Sequence, residues 1–348
     1  MAILYQQKLS RKDLYARAGN LSQLCGPCSY TLNEGKGKGT AIVDIRTGGG
    51  LSYTVLPDRG LDIARAEYKG IPLSFISKSG LVSPQYYCPE KSTWGESFTA
   101  GLLTTCGLMQ AGSHCIYNDR KFSTHGNISN IPAVNVGSFQ KWEGDEMIMG
   151  VSGTLLSGHL YRENLELNRM LTSRMGENSI QIHDVVTNNG FERVPLMLIY
   201  HMNFGFPLVD KGTILEVDSL NQKFVGADTD YRNMNEPLAG NPDVTVFHDL
   251  KPNEQGFVCC RMTNRKLGVG IYIQWNKKEL WNFAEWKHLA PGDYVVGLEP
   301  CNNYILGIEK EKENGTLEYI EPGESRTIDL EFGVYELEKQ PCFELSYN

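Results

Sequence analysis

The sequence predicts an all-β protein, a large twisted antiparallel β-sandwich, and three observations carry that reading. From Gly39 onward the chain runs in short stretches closed by Gly or Pro, many alternating apolar and polar residues, at the spacing of a β-meander. One stretch, Pro195–Leu208 (PLMLIYHMNFGFPL), is apolar on both sides and rich in β-formers, as suits a doubly covered central strand. No Gly/Ser linker, internal repeat or low-complexity segment divides the 348 residues. The expected organisation is one domain over 1–348, with residues 1–38 an N-terminal extension packed on it.

Taken in order, residues 1–20 are polar and charged, with a short helix expected around Ser10–Arg17. Ala41–Ile45, Leu51–Leu56 and Leu61–Ala66 read as strands. The last two are joined by Pro57-Asp58-Arg59-Gly60, with Pro and Asp early and Gly last, as turns prefer. Ser97–Gly112 mixes small residues with Leu and Met and fits either a buried strand pair or a tight loop under the core. A polar loop follows over Thr124–Ala133, then Gly137–Trp142 and Met147–Ser152. Tyr161–Thr172 matches helical spacing as well as alternation. Its neighbour Ser179–Thr187 is a clear strand ended by Asn188-Asn189-Gly190, so two successive strands are expected. Further strands are expected at Ile214–Val217, Gly268–Trp275, Asp293–Leu298 and Arg326–Glu336, with 219–258 a long Asn- and Pro-rich excursion.

Composition narrows the function. Hydrophobic residues at 41% support a packed core, so the chain is not a disordered one. A net charge of −8 without a long basic run argues against nucleic acid and against anionic membranes. The first residues, MAILYQQKLSRKDL, lack the apolar region of a secretory signal, and the longest uncharged run, Ser97–Asn118, is too polar to span a bilayer. A cytoplasmic, soluble protein is expected. Nine cysteines do not make a complete disulfide framework. Cys25-Gly-Pro-Cys28 copies a thioredoxin-type motif, but Tyr30–Gly39 continues as a Gly- and Lys-rich turn region where that motif needs a helix. With no second CxxC, no metal-ligand spacing and no Gly-rich nucleotide loop, neither metal nor cofactor is expected.

Alternation places Leu196, Leu198, Tyr200 and Met202 on one face of the central strand, and Met197, Ile199, His201 and Asn203 on the other. A buried ring and amide need hydrogen bonds, so His201 is either a satisfied core histidine or a functional one. In Pro291–Pro300 (PGDYVVGLEP), Val295, Gly297 and Glu299 share a face and Pro300 is expected to stop the strand. Glu299 is then either an exposed terminal carboxylate or one that a ligand approaches past a residue without a side chain. Arg59 reads as a solvated turn residue or as a fork of donors for oxygen. Trp286-Lys287 offers an aromatic face for sugar C–H groups and a donor for hydroxyls, or simply core.

His125-Gly126 in a loop, Tyr200-His201-x-Asn203-Phe204 on a buried strand and a late Gly297-Leu298-Glu299-Pro300 together resemble the aldose 1-epimerase (galactose mutarotase) superfamily. The segments Pro57–Ile63 (PDRGLDI), Thr104–Leu108 (TTCGL) and Trp286-Lys287 before Glu299-Pro300-x-Asn302 look like one branch, with a largely unassigned sugar. The resemblance runs from about residue 40 to 335. It implies the family's β-supersandwich, with His201 as general acid, Glu299 as general base and His125 as a second, substrate-binding histidine. Arg59 takes a position like that of the substrate-binding arginine. Asp62, Asn203 and Lys287 are binding candidates by proximity to motifs, and Trp286 is a stacking candidate.

The chemistry stands apart from the resemblance. Opening a cyclic hemiacetal needs a base on the anomeric hydroxyl and an acid on the ring oxygen. Closure after rotation about C1–C2 uses the same pair. An unperturbed Glu, pKa about 4.3, is ionised at neutral pH, and a His, about 6.5, needs a nearby carboxylate to stay charged. With the resemblance, this makes mutarotation of a free aldose or sugar derivative by a His acid and a Glu base the expectation. Epimerisation at another carbon, a non-catalytic sugar-binding protein and a glycoside hydrolase pairing Glu299 with Asp62 or Asp184 are the alternatives. Monomer and homodimer both stay open, since sandwich edges can pair or stay capped.

Overall fold

The computed structural model describes residues 2–89, 94–226 and 230–339. Three antiparallel sheets frame it. An eight-stranded sheet runs, in spatial order, Val134–Glu143, Glu146–Gly158, Asn164–Arg174, Ser179–Asn188, Ser325–Glu336, Val269–Asn276, Phe257–Asn264 and Ile214–Val217. A six-stranded sheet runs Ser219–Val225, Val244–Leu250, Asn282–Ala290, Asp293–Cys301, Ile199–Gly205 and Thr104–Cys106. A five-stranded meander runs from Gly26–Thr31 through Ala41–Arg46, Leu51–Leu56 and Asp62–Tyr68 to Ile71–Pro72. One core joins all three. Phe204 of the six-stranded sheet stacks on Phe332 of the eight-stranded one, ring centroids 6.1 Å apart, and Val55 and Ile63 of the meander are buried in the same cluster. The all-β sandwich expected from the sequence is the fold observed.

The N-terminal residues join this core through Leu4, Leu14 and Leu21. Ser10 caps the helix Arg11–Arg17 in a reciprocal box with Asp13. Cys28, exposed, lies in the edge strand Gly26–Thr31 and Cys25 is buried before it, both free thiols, so a strand stands where the motif needs an α-helix. No helix among the described residues is long and apolar enough to cross a membrane, and none of their His, Cys, Asp and Glu side chains cluster in a group able to hold a metal ion.

Three expectations need correction, and one strand went unread. The central strand spans Ile199–Gly205 and not Pro195–Leu208. Upstream of it the backbone turns to loops: the Met197 amide donates to the Leu108 carbonyl, and that of Leu198 to Asn302 Oδ1. The excursion 219–258 contains two strands, Ser219–Val225 and Val244–Leu250. The first is a mostly exposed sheet edge whose polar sequence carries no apolar alternation. Asn282–Ala290 is also a strand, although it buries Glu285 and Lys287. Pro300 does not stop its strand, which runs to Cys301. Pairing with the histidine strand has a gap between Ile199↔Cys301 and Met202↔Leu298, and Pro300, with no N–H to give, sits in it.

Under the central strand lies a buried ion cluster. The Arg169 guanidinium donates from Nε and Nη2 to both oxygens of Asp184 (2.9 and 2.6 Å). Its Nη1 donates to Asp62 Oδ1 (3.0 Å), Thr105 Oγ1 (2.8 Å) and the Gly60 carbonyl (3.0 Å). Tyr200 completes the cluster, its hydroxyl donating to Asp184 Oδ2 at 2.6 Å. Burial works against the guanidinium charge, but Asp184, Asp62 and Tyr200 together outweigh it and hold Arg169 protonated. Removing one member of a buried pair leaves an uncompensated charge. Arg169→Ala is therefore expected to lower unfolding stability by about 3–5 kcal/mol, measured by urea denaturation.

Candidate active site

The outer face of the six-stranded sheet carries the candidate site. Strand register builds it in two rows. His201 pairs across to Thr104 on one side. On the other, the uniform register between Ile199↔Cys301 and Met202↔Leu298 sets it opposite Glu299, which pairs with Ala284. One step along, Asn203 pairs with Gly297 and Gly297 with Trp286. Alternation sends the intervening Tyr200, Met202 and Leu298 into the core.

His201 Nε2 lies 3.2 Å from Glu299 Oε1. The contact is close but poorly aligned, and Glu299 Oε1, His201 Nδ1 and Asn203 Oδ1 are buried without a hydrogen-bond partner among the described residues. The two catalytic candidates are 5% and 1% exposed. Gly297 makes room for them: a Cβ there would stand 2.6 Å from Glu299 Oε1 and 3.3 Å from His201 Cε1. Neither bland alternative, the exposed terminal glutamate or the satisfied core histidine, describes what is found. Aromatic rings enclose the pair. Trp286 lies 5.6 Å, Phe98 5.5 Å and His125 5.9 Å from the His201 ring, all edge-on. Trp94 stacks on Phe98 at 4.4 Å and leans on His125 at 4.8 Å.

The remaining sequence candidates divide. Asn203 is fixed by its Nδ2, which donates to the Gly101 and His201 carbonyls, so only its acceptor oxygen stays open. His125 sits at the site with φ +58° in its tight loop, its Nδ1 accepting from the Gly112 amide at 3.4 Å. Asp62 is not brought to the pair; it accepts from Thr105 and Arg169 inside the core. Asp184 is held by Arg169 in the same way. Lys287, next to Trp286 in sequence, points through the opposite face of the strand and donates to the Asp230 carbonyl. Arg59 is buried, its Nη1 donating to the Val82 carbonyl and its Nη2 to that of Ser97. Phe98 and Trp94 went unread in the sequence because no strand alternation marks a loop. Gly297 was read only as an open position, not as the space that Glu299 needs.

Burial dominates the electrostatics. It pushes the Glu299 carboxyl up to about 8. It pulls His201 down to about 3, with His125 adding to the effect, and His125 itself down to about 4. The resting proton therefore sits on Glu299 beside a neutral imidazole, where the unperturbed value pointed to an ionised Glu and a His charged only with that carboxylate's help.

The model of a family described as "Domain of unknown function (DUF4432)" matches residues 37–334. The chain belongs to that family. Its structure is similar to that of a Klebsiella pneumoniae protein provisionally named an aldose 1-epimerase (TM-score 0.84, 22% identity, covering 90% of this chain and 84% of the other). It is also similar to a galactose mutarotase-like protein from Clostridium acetobutylicum (0.61, 12%, 90% and 99%) and a galactose 1-epimerase from Lactobacillus acidophilus (0.57, 12%, 90% and 99%). At these identities the likeness establishes the fold: this DUF4432 member has the galactose mutarotase-like β-sandwich. A comparison with curated protein sequences finds no match.

The proton on Glu299 has a thermodynamic consequence. With a folded pKa raised to about 8 from 4.5, the native state holds a proton that the unfolded chain releases between those values. Stability from this group is full below about pH 4.5 and is lost as pH rises toward 8. Glu299→Gln removes that loss. The variant should gain on the wild type by up to roughly 1 kcal/mol per pH unit across this window in paired urea melts.

Proposed function

We propose that this protein is a cofactor-independent carbohydrate epimerase that interconverts the anomers of a small free sugar, with His201 and Glu299 as its acid–base pair. The observation that carries this reading is the 3.2 Å separation of Nε2 and Oε1 across neighbouring strands. Mutarotation moves protons at two oxygens bonded to a single carbon, the anomeric hydroxyl and the ring oxygen. Two proton carriers this close can serve both without moving.

The proton count closes. Neutral His201 takes the anomeric O–H proton while protonated Glu299 delivers its own to the ring oxygen, and the C1–O bond of the ring breaks. The open-chain aldehyde rotates about C1–C2. Re-closure forms that bond on the other face, returns the hydroxyl proton from the imidazolium and gives the ring-hydroxyl proton back to Glu299. The opposite starting state, ionised Glu299 beside charged His201, runs the same cycle with the roles exchanged.

Asn203 Oδ1 would accept from a ring hydroxyl, His125 would donate to one from Nε2, and Trp286 would cover an apolar C–H face. The glycoside hydrolase alternative draws no support, because Asp62 and Asp184 are both committed to Arg169.

The test is saturation-transfer NMR on a panel of aldoses, uronates and ketoses. Enzyme-dependent exchange between anomer signals is expected for at least one sugar. Glu299→Gln and His201→Asn should each fold normally and lose about 10²–10⁴ in exchange rate, the usual worth of one positioned acid or base. Near-normal exchange in either variant would overturn the assignment. Binding without accelerated exchange would leave epimerisation at another carbon or a sugar-binding role.

A further inference from the structure

We propose that Arg59 serves the site as the latch of an aromatic roof and does not itself touch substrate. The proposal uses the sugar-site reading only to say why the roof matters. The roof is Trp94–Thr99: one turn of helix over Trp94–Ser97, then Phe98 leading into the loop. Its two rings stack on each other and cover the two imidazoles, Phe98 over His201 and Trp94 over His125. Beneath them the catalytic pair is almost sealed, so the position of this segment sets access to it.

The segment is held by backbone carbonyls. Ser77 Oγ donates to the Phe98 carbonyl at 2.5 Å, the Ser77 amide to that of Thr99 at 3.1 Å, and Ser79 Oγ to that of Gly95 at 2.9 Å. The Ser97 carbonyl, immediately before Phe98, is the one taken by Arg59 Nη2 at 3.0 Å. Arg59 Nη1 meanwhile holds the Val82 carbonyl at 2.7 Å. Arg59 springs from the Pro57–Gly60 turn, which precedes the strand Asp62–Tyr68, so its fork ties the roof to the meander. It is 4% exposed, and both terminal nitrogens are committed. Burial brings its pKa down to about 10, with Asp62 opposing, and the group stays a cation at neutral pH. A planar fork can bridge two carbonyls set apart in this way, whereas a lysine ammonium offers a point charge.

The experiment reads access to His201 without using any sugar. Native protein is treated with diethyl pyrocarbonate at pH 7, and carbethoxylation is followed at each histidine by peptide mass spectrometry. His183, 43% exposed on the far sheet, is the internal reference. Arg59→Lys should label His201 at least ~10-fold faster than wild type, the scale of losing one charge-assisted hydrogen bond, with His183 unchanged. Phe98→Ala should do the same. Adding Arg59→Lys to Phe98→Ala should then change nothing more, because the latch has nothing left to hold. Arg59→Met, which keeps length without the fork, replaces Arg59→Lys if circular dichroism shows the latter unfolded. Unchanged His201 labelling in a folded Arg59 variant overturns the latch, and so do additive effects in the double variant. If the labelling pattern holds while the wild type exchanges no sugar anomers, the latch stands and the mutarotase reading falls. Anomer exchange with unchanged labelling gives the reverse.

Discussion

The Arg169 cluster is the constraint on which the site depends. One buried guanidinium gathers Asp184 from the eight-stranded sheet and Asp62 and Gly60 from the meander. It also takes Thr105 from the edge strand of the six-stranded sheet, and Asp184 in turn accepts from Tyr200 on the central strand. A charge this deep is tolerable only when every partner is in place, so the cluster fixes three sheets relative to one another. Tyr200 and Thr105 are each one residue from His201 and its cross-strand neighbour Thr104, which alternation turns to the other face. Holding the inner face therefore holds the outer one. The polar groups beneath the strand secure the position of those above it.

On the outer face, low exposure does the chemical tuning. No arginine or lysine pairs with Glu299 among the described residues, and the aromatic walls of Phe98 and Trp286 keep water back. Burial disfavours the charged form of each, so the proton rests on Glu299 beside a neutral His201, against their ordinary order. A pair with a single proton to pass suits a reaction that begins and ends with the same proton count.

Several segments show where local pattern and tertiary context part. Trp286 and Lys287 are adjacent in sequence, yet alternation puts the indole beside His201 and the ammonium in the core, at the Asp230 carbonyl. Once Asn282–Ala290 is seen to be a strand, that division is unavoidable. The strand itself was hard to see, because its inward face carries Glu285 and Lys287, where a sandwich normally shows apolar residues. Glu285 lies 3.3 Å from His248 of the neighbouring strand, a partner that only the fold supplies.

What the sequence determined by itself was the repetition of strands, the face shared by His201 and Asn203, and the face shared by Gly297 and Glu299. Each follows from two-residue alternation, a property of one strand alone. The motifs around His125, His201 and Glu299 were legible because each is short and contiguous. Which strands neighbour each other was not legible, because pairing depends on contacts between residues a hundred positions apart. That pairing alone set Glu299 opposite His201 and laid Phe98 and Trp94 over the pair. It also drew Asp62 and Lys287 away from it and gave Arg59 to the Ser97 carbonyl. Burial, and with it the protonation of the site, is a property of the assembled sheets, and no stretch of the chain encodes it locally.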